Sequence, residues 1–136
     1  MGKPLPGGEL LPGGDDEMST NLTSYMSLQG PLSRHILSQL TSEPLDNESF
    51  PFNTNKMISV AGHEVRALRV SFVGELGWEL HIPRESCVPV YEELHRVGAQ
   101  YSMVNAGYRA IDSLSIEKGY PHWHQEVSSL SISLYP

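Results

Sequence analysis

"SFVGELGWELHIP", residues 71–83, places a carboxylate, Glu75, between two glycines where one strand-like run gives way to the next. "EVRALRVSFV" (64–73) precedes the turn and "WELHI" (78–82) follows it. Glycine has no Cβ and reaches positive φ freely, so a Gly-x-x-Gly turn lets the backbone come close to another group. A carboxylate presents two acceptors side by side, which suits a ligand edge with two parallel N–H donors, such as a 2-aminopyrimidinone ring. The turn by itself more often reads as an exposed Glu at a hairpin tip, since such turns are common. Glu79 lies four residues on and need not share a face with Glu75.

Working outward, "KMISVAG" (56–62) is another β-rich run, and a turn at Gly62-His63 predicts an antiparallel hairpin with the run that follows. Upstream, "NLTSYMSL" alternates as a strand does, "QGP" punctuates it, and Pro31 opens a helix over "PLSRHILSQL" with Leu32, Ile36, Leu37 and Leu40 on one face. The polar loop "SEPLDNESFPFNTN" carries Phe50 and Phe52, expected to plug the core. Downstream, "SCVPVYEELHRVGA" (86–99) spaces Val90, Leu94 and Val97 as a helix, with Ser86 as cap and Gly98 near its end. "AGYRAIDSLSIEKG" predicts a further helix ended by Gly119. Hairpin-paired strands with interleaved helices give an α+β fold, an antiparallel hairpin sheet with packed helices. Leu94, Val97, Leu114, Ile116, Val70 and Phe72 are expected to share one core.

The 136 residues, 39% of them hydrophobic, suffice for one domain. Residues 1–21, rich in Gly and Pro, are expected to be a disordered lead, 22–126 the domain, and 127–136, with "SSLSISLYP", a tail that is either a strand or frayed. Nine Lys and Arg against 16 Asp and Glu, a formal charge of −7, oppose attraction to nucleic acid or an anionic membrane. No apolar run approaches the roughly 20 residues of a membrane span, and the start resembles neither a secretion signal nor a mitochondrial transit peptide. The single cysteine, Cys87, excludes an internal disulfide and reads as a small buried apolar residue. Among the histidines, His122 and His124 could face one side of an extended segment, but two ligands make a poor metal site, and none is expected. His35, His63, His81 and His95 are isolated. There is no nucleophile elbow, Walker loop or dinucleotide-type glycine motif, so neither FAD nor NAD binds here by that route.

Several strings, in order, carry a family likeness. "YMSLQGPLSRHIL", "FPF", "AGHEVRALRVSF", "RVSFVGELGWELHIP", "CVPVYEEL" and "NAGYRAIDSLSIEKGYPHWH" closely resemble the folate-binding, aminomethyltransferase (T-protein)-like region of the sarcosine dehydrogenase family, across about residues 22–126. The resemblance implies part of a tetrahydrofolate-binding domain in a mitochondrial-matrix enzyme whose FAD belongs to a separate domain, absent from this chain. It implies that Glu75 contacts the pterin, and Trp78 and Tyr108 are expected to line the same concave surface. Two departures stand out. Ile111 precedes Asp112-Ser113-Leu114 where the family commonly has Arg, with Arg109 on another helical face. The family's catalytic Asp belongs to a segment here replaced by the Gly-Pro lead. No catalytic residue is therefore assigned, and the chain alone is expected to be inactive. The alternative implied by the same likeness is a non-catalytic regulatory protein, like the regulatory subunit of pyruvate dehydrogenase phosphatase. Beyond a folate small molecule, no nucleic-acid or membrane partner is expected.

Overall fold

A computed structural model describes residues 22–120. The lead, the tail and the His122/His124 pair lie outside the described residues. The elements run β1 (Thr23–Gln29), α1 (Ser33–Leu37), β2 (Asn55–Val60), β3 (His63–Leu68), β4 (Gly77–Pro83), α2 (Arg84–Gly98), a single 3₁₀ turn (Ala99–Tyr101) and α3 (Tyr108–Lys118). The four strands form one antiparallel sheet in the order β1-β4-β3-β2. Two-residue alternation gives that sheet one apolar face, and the register aligns it: Leu28 opposite Trp78, Met26 and Ala67 opposite Leu80, Ile58 opposite Val65. Helices α1 and α2 cover this face with Ile36, Leu37, Val90, Leu94 and Val97. Trp78 is fully buried at the centre, with Phe50 edge-on at 6.2 Å.

The β2–β3 turn is made by Ala61 and Gly62, with φ of 51° and 83°, one residue earlier than expected. Positive φ at both positions matches the twist of the flanking strands. Strand β3 ends at Leu68 rather than Val73, because residues 69–76 leave the sheet as a hydrogen-bonded loop. Helix α1 is shorter than the ten residues its pattern suggested. Helix α2 starts at Arg84 without a side-chain cap; Ser86 lies within its first turn and is hydrogen-bonded to His63 Nδ1 at 2.9 Å. Gly119 does end α3, in the left-handed region at φ 63°.

The expected core needs correcting. Leu94 and Val97 are buried, but Phe72, Leu114, Ile116 and Phe52 are 55%, 40%, 68% and 60% exposed, and Val70 is half-buried. Helix α3 is amphipathic in sequence yet lies off the layer in which α1 and α2 cover the sheet, so its apolar face is not spent on this core. Phe50 plugs the core and Phe52 does not.

Between α1 and β2 the chain is shaped by Asp46, whose Oδ1 accepts the N–H groups of Glu48 (2.9 Å) and Ser49 (2.8 Å). The Ser49 bonds hold the Asp46 carboxyl below its usual range. A folded-state pKa below the unfolded one adds stability above the ordinary aspartate value of about 3.9, lost as pH falls through the folded value. The melting difference between the wild type and Asp46→Ala should be present near neutrality and narrow below about pH 3.9. A difference unchanged in acid would show that the charge plays no part.

Candidate functional site

The loop 69–76 is tied at both ends. At its entry, the Arg69 N–H donates to Thr54 O and the Asn53 N–H donates to Arg69 O, both at 2.9 Å. At its exit, Leu76 O accepts the Gly30 N–H (2.8 Å) and the hydroxyl of buried Ser33 (3.1 Å). Between them Ser71 Oγ accepts the N–H groups of Val73 and Glu75. The bracketing glycines have backbone reasons of their own. Gly74 has φ 70°, where a side chain is strained. At Gly77 a Cβ would run into Leu28 O and the Gln29 side chain across the β1–β4 pair.

The loop forms a wall of a cavity of about 380 Å³, lined among others by Phe52, Arg69, Ser71, Glu75 and Tyr120. Glu75 Oε1 accepts a hydrogen bond from Lys118 Nζ at 2.6 Å, which brings the end of α3 over the loop. That hydrogen bond raises the Lys118 pKa, so the ammonium stays charged.

The two aromatics expected beside Glu75 stand elsewhere. Trp78 directly follows Gly77, where β4 begins, and alternation turns its ring inward, leaving it 0% exposed. Tyr108 opens α3 and is 86% exposed, lining no part of this cavity. Arg69 and Tyr120, absent from the expected set, do line it. Arg69 could not have been found locally, because its partners lie in the 46–54 loop.

A second cluster occupies the sheet face that the helices leave open. His81 Nε2–H donates to Glu79 Oε1 at 2.5 Å, and the Tyr25 ring, 67% exposed, meets His81 edge-on at 4.5 Å. Register places Tyr25, His81 and Arg66 in one row across three strands. The signal was present in "WELHI", where Glu79 and His81 are two residues apart and so share a face. A larger apolar groove, about 590 Å³, runs between β1, α2 and α3 past Met26, Phe72, Leu94, Tyr101, Ile111 and Leu114. Among the described residues no group of three or more His, Cys, Asp or Glu could hold a metal ion, and no helix is long and apolar enough to cross a membrane. Cys87 is half-buried against the core.

Compared with known families, residues 16–132 match the GCVT N-terminal domain. The chain belongs to the GCVT family. Its antiparallel sheet with helices on one face agrees with that assignment and with the α+β expectation. This GCVT chain is 62% identical over 102 residues to human "Sarcosine dehydrogenase, mitochondrial", covering 75% of this chain and 11% of that protein. It is 35% identical over 123 residues to human "Dimethylglycine dehydrogenase, mitochondrial", 88% of this chain and 14% of the relative. To mouse "Pyruvate dehydrogenase phosphatase regulatory subunit, mitochondrial" it is 36% identical over 110 residues, 80% and 12% respectively. The chain thus spans between a tenth and a seventh of the lengths of these relatives.

Proposed function

We propose that this GCVT chain supplies part of the tetrahydrofolate-binding region of a sarcosine dehydrogenase-like enzyme of the mitochondrial matrix. In that reading the region captures the one-carbon unit released when sarcosine is oxidatively demethylated to glycine. The observation that carries it is Glu75 on the cavity wall, a fixed acceptor in a loop held at both ends. A pterin's 2-amino and ring N–H edge needs such an acceptor, and the Glu75 carboxylate supplies one on the cavity wall. Glu79 is a second acceptor of the same kind, bonded to His81, against which the Tyr25 ring packs edge-on. Tetrahydrofolate, when bound, supplies the nucleophilic nitrogens that accept the one-carbon unit. The residues of this chain bind and orient it; no residue here is assigned to proton transfer. The sequence has no Gly-rich dinucleotide loop, and in this reading oxidation is carried out by another part of the parent enzyme. The 62% identity to a dehydrogenase, against 36% to the regulatory subunit, favours the dehydrogenase reading over the regulatory one.

The test is calorimetric titration of the 136-residue chain with tetrahydrofolate, beside Glu75→Gln and Glu79→Gln. Pockets that hold such ligands well bury roughly 70% or more of their surface. Each solvent-competed hydrogen bond adds only about 0.5 to 1.5 kcal/mol. The expected result is weak, millimolar-range binding reduced further by one of the two substitutions. Micromolar binding would show that the chain holds a complete site. Binding indifferent to both substitutions would remove the carboxylate basis of the reading.

A further inference from the structure

Two arginines from different parts of the chain converge on one neutral side chain. Arg34 Nη2, from α1, donates to Asn47 Oδ1 at 2.9 Å, and Arg69 Nη2 donates to the same oxygen at 2.7 Å. Both guanidinium groups stand over the Trp78 ring, at 5.9 and 5.8 Å from its centroid. Arg69 is 9% exposed, and its Nη1 donates to the Phe50 carbonyl at 2.5 Å. Arg34 Nε is buried with no hydrogen-bond partner among the described residues.

Every acceptor that these two cations share is uncharged. Among the described residues the ion pairs are Glu79–His81, Glu93–Arg96 and Glu75–Lys118, and none involves Arg34 or Arg69. Asp46, whose Oδ1 accepts the N–H groups of Glu48 and Ser49, acts on Arg69 only through space and has no ion pair with it. Burial first, and the Arg34 charge second, lower the Arg69 pKa, and the Asp46 charge only partly opposes them. Two like charges drawn to one neutral oxygen, one of them nearly buried, are only partly compensated by Asp46, and a further anion would complete the set.

The cavity offers a place for it. Arg69 lines the 380 Å³ space, and so does Ser71, whose oxygen accepts two backbone N–H groups and whose own proton is thereby left to donate. Glu75, on the same wall, is neutralised by Lys118 and does not cancel the Arg69 charge. We infer that this cavity binds a small-molecule carboxylate, anchored by the Arg69 guanidinium and the Ser71 hydroxyl, with Arg34 reinforcing the positive field. A carboxylate is the fitting class because it carries the missing negative charge and its oxygens accept charge-assisted hydrogen bonds from a guanidinium N–H together with the Ser71 hydroxyl. The inference does not depend on folate binding, and its probe contains no pterin.

The experiment compares thermal unfolding of the full chain in sodium acetate and in sodium chloride at equal ionic strength. Arginine Nε–Hε NMR signals locate the bound anion. Asn47→Asp places a carboxylate on both guanidinium groups and so supplies the counter-ion internally. Wild type should gain stability in acetate over chloride, saturably, by about 11-fold in the folding constant at ten times Kd, with the Arg69 signal shifting. Asn47→Asp should melt higher than wild type in chloride and lose the acetate gain. Arg34→Gln, which keeps the anchor, should weaken the gain and provides the comparison should Asn47→Asp not fold. Equal melting of wild type in the two salts, or an equal acetate gain in wild type and the variants, would overturn the inference.

Discussion

Replacing Trp78 with alanine is expected to lower stability by about 3 to 5 kcal/mol, the usual range for a buried large aromatic. Trp78 is 0% exposed and sits where β1, β4, the 46–54 loop and the two arginines meet: Leu28 opposes it, Phe50 packs edge-on, and Arg34 and Arg69 stand over its ring. Removing the indole therefore deletes apolar burial and both cation–π contacts, and leaves two guanidinium groups over a void. Since a domain's whole margin is about 5 to 15 kcal/mol, this loss removes a large part of it. Chemical denaturation monitored by circular dichroism checks this. A loss below about 1 kcal/mol would show that Trp78 is not the centre of the core. Trp78→Phe, which keeps a ring, should recover most of the loss.

Leu94→Ala should cost about 2 to 5 kcal/mol, whereas Leu114→Ala should stay within about 0.5 kcal/mol. The two leucines look alike in sequence, each at helical spacing among apolar neighbours. Leu94 is 5% exposed on the face of α2 turned to the sheet, while Leu114 is 40% exposed on α3. Truncating the first opens a cavity that packed neighbours cannot close. Truncating the second removes atoms already in contact with water. Melting midpoints of the two variants, measured side by side, decide the matter: equal losses would mean that α3 is packed as firmly as α2.

Much of this arrangement was legible in the residues themselves. Period-two alternation marked β1, β2, β3 and β4, and the spacing of Val90, Leu94 and Val97 marked α2, because amphipathicity is a local property of the chain. Gly119 was readable as the end of α3, since few other residues adopt positive φ there at no cost. The family was readable too, from strings such as "NAGYRAIDSLSIEKGY" in order. What pattern could not supply was which apolar face would find a partner. Phe50 and Phe52 are two residues apart in the same loop, yet one is buried and the other 60% exposed, because Trp78 accepts one ring only. "GELG" pointed to Glu75 but said nothing of Lys118, which tertiary folding brings within 2.6 Å from the far end of α3. It also placed Trp78 near Glu75 in sequence, while the pleat of β4 sends the indole into the core, where it lines no part of the cavity. Arg34, Asn47 and Arg69 carry no mutual signal in sequence; their meeting depends on packing α1, the 46–54 loop and the end of β3 around one ring. Local periodicity determined the elements of this protein, and the choice among its faces and the pairing of its charges waited for the core to close.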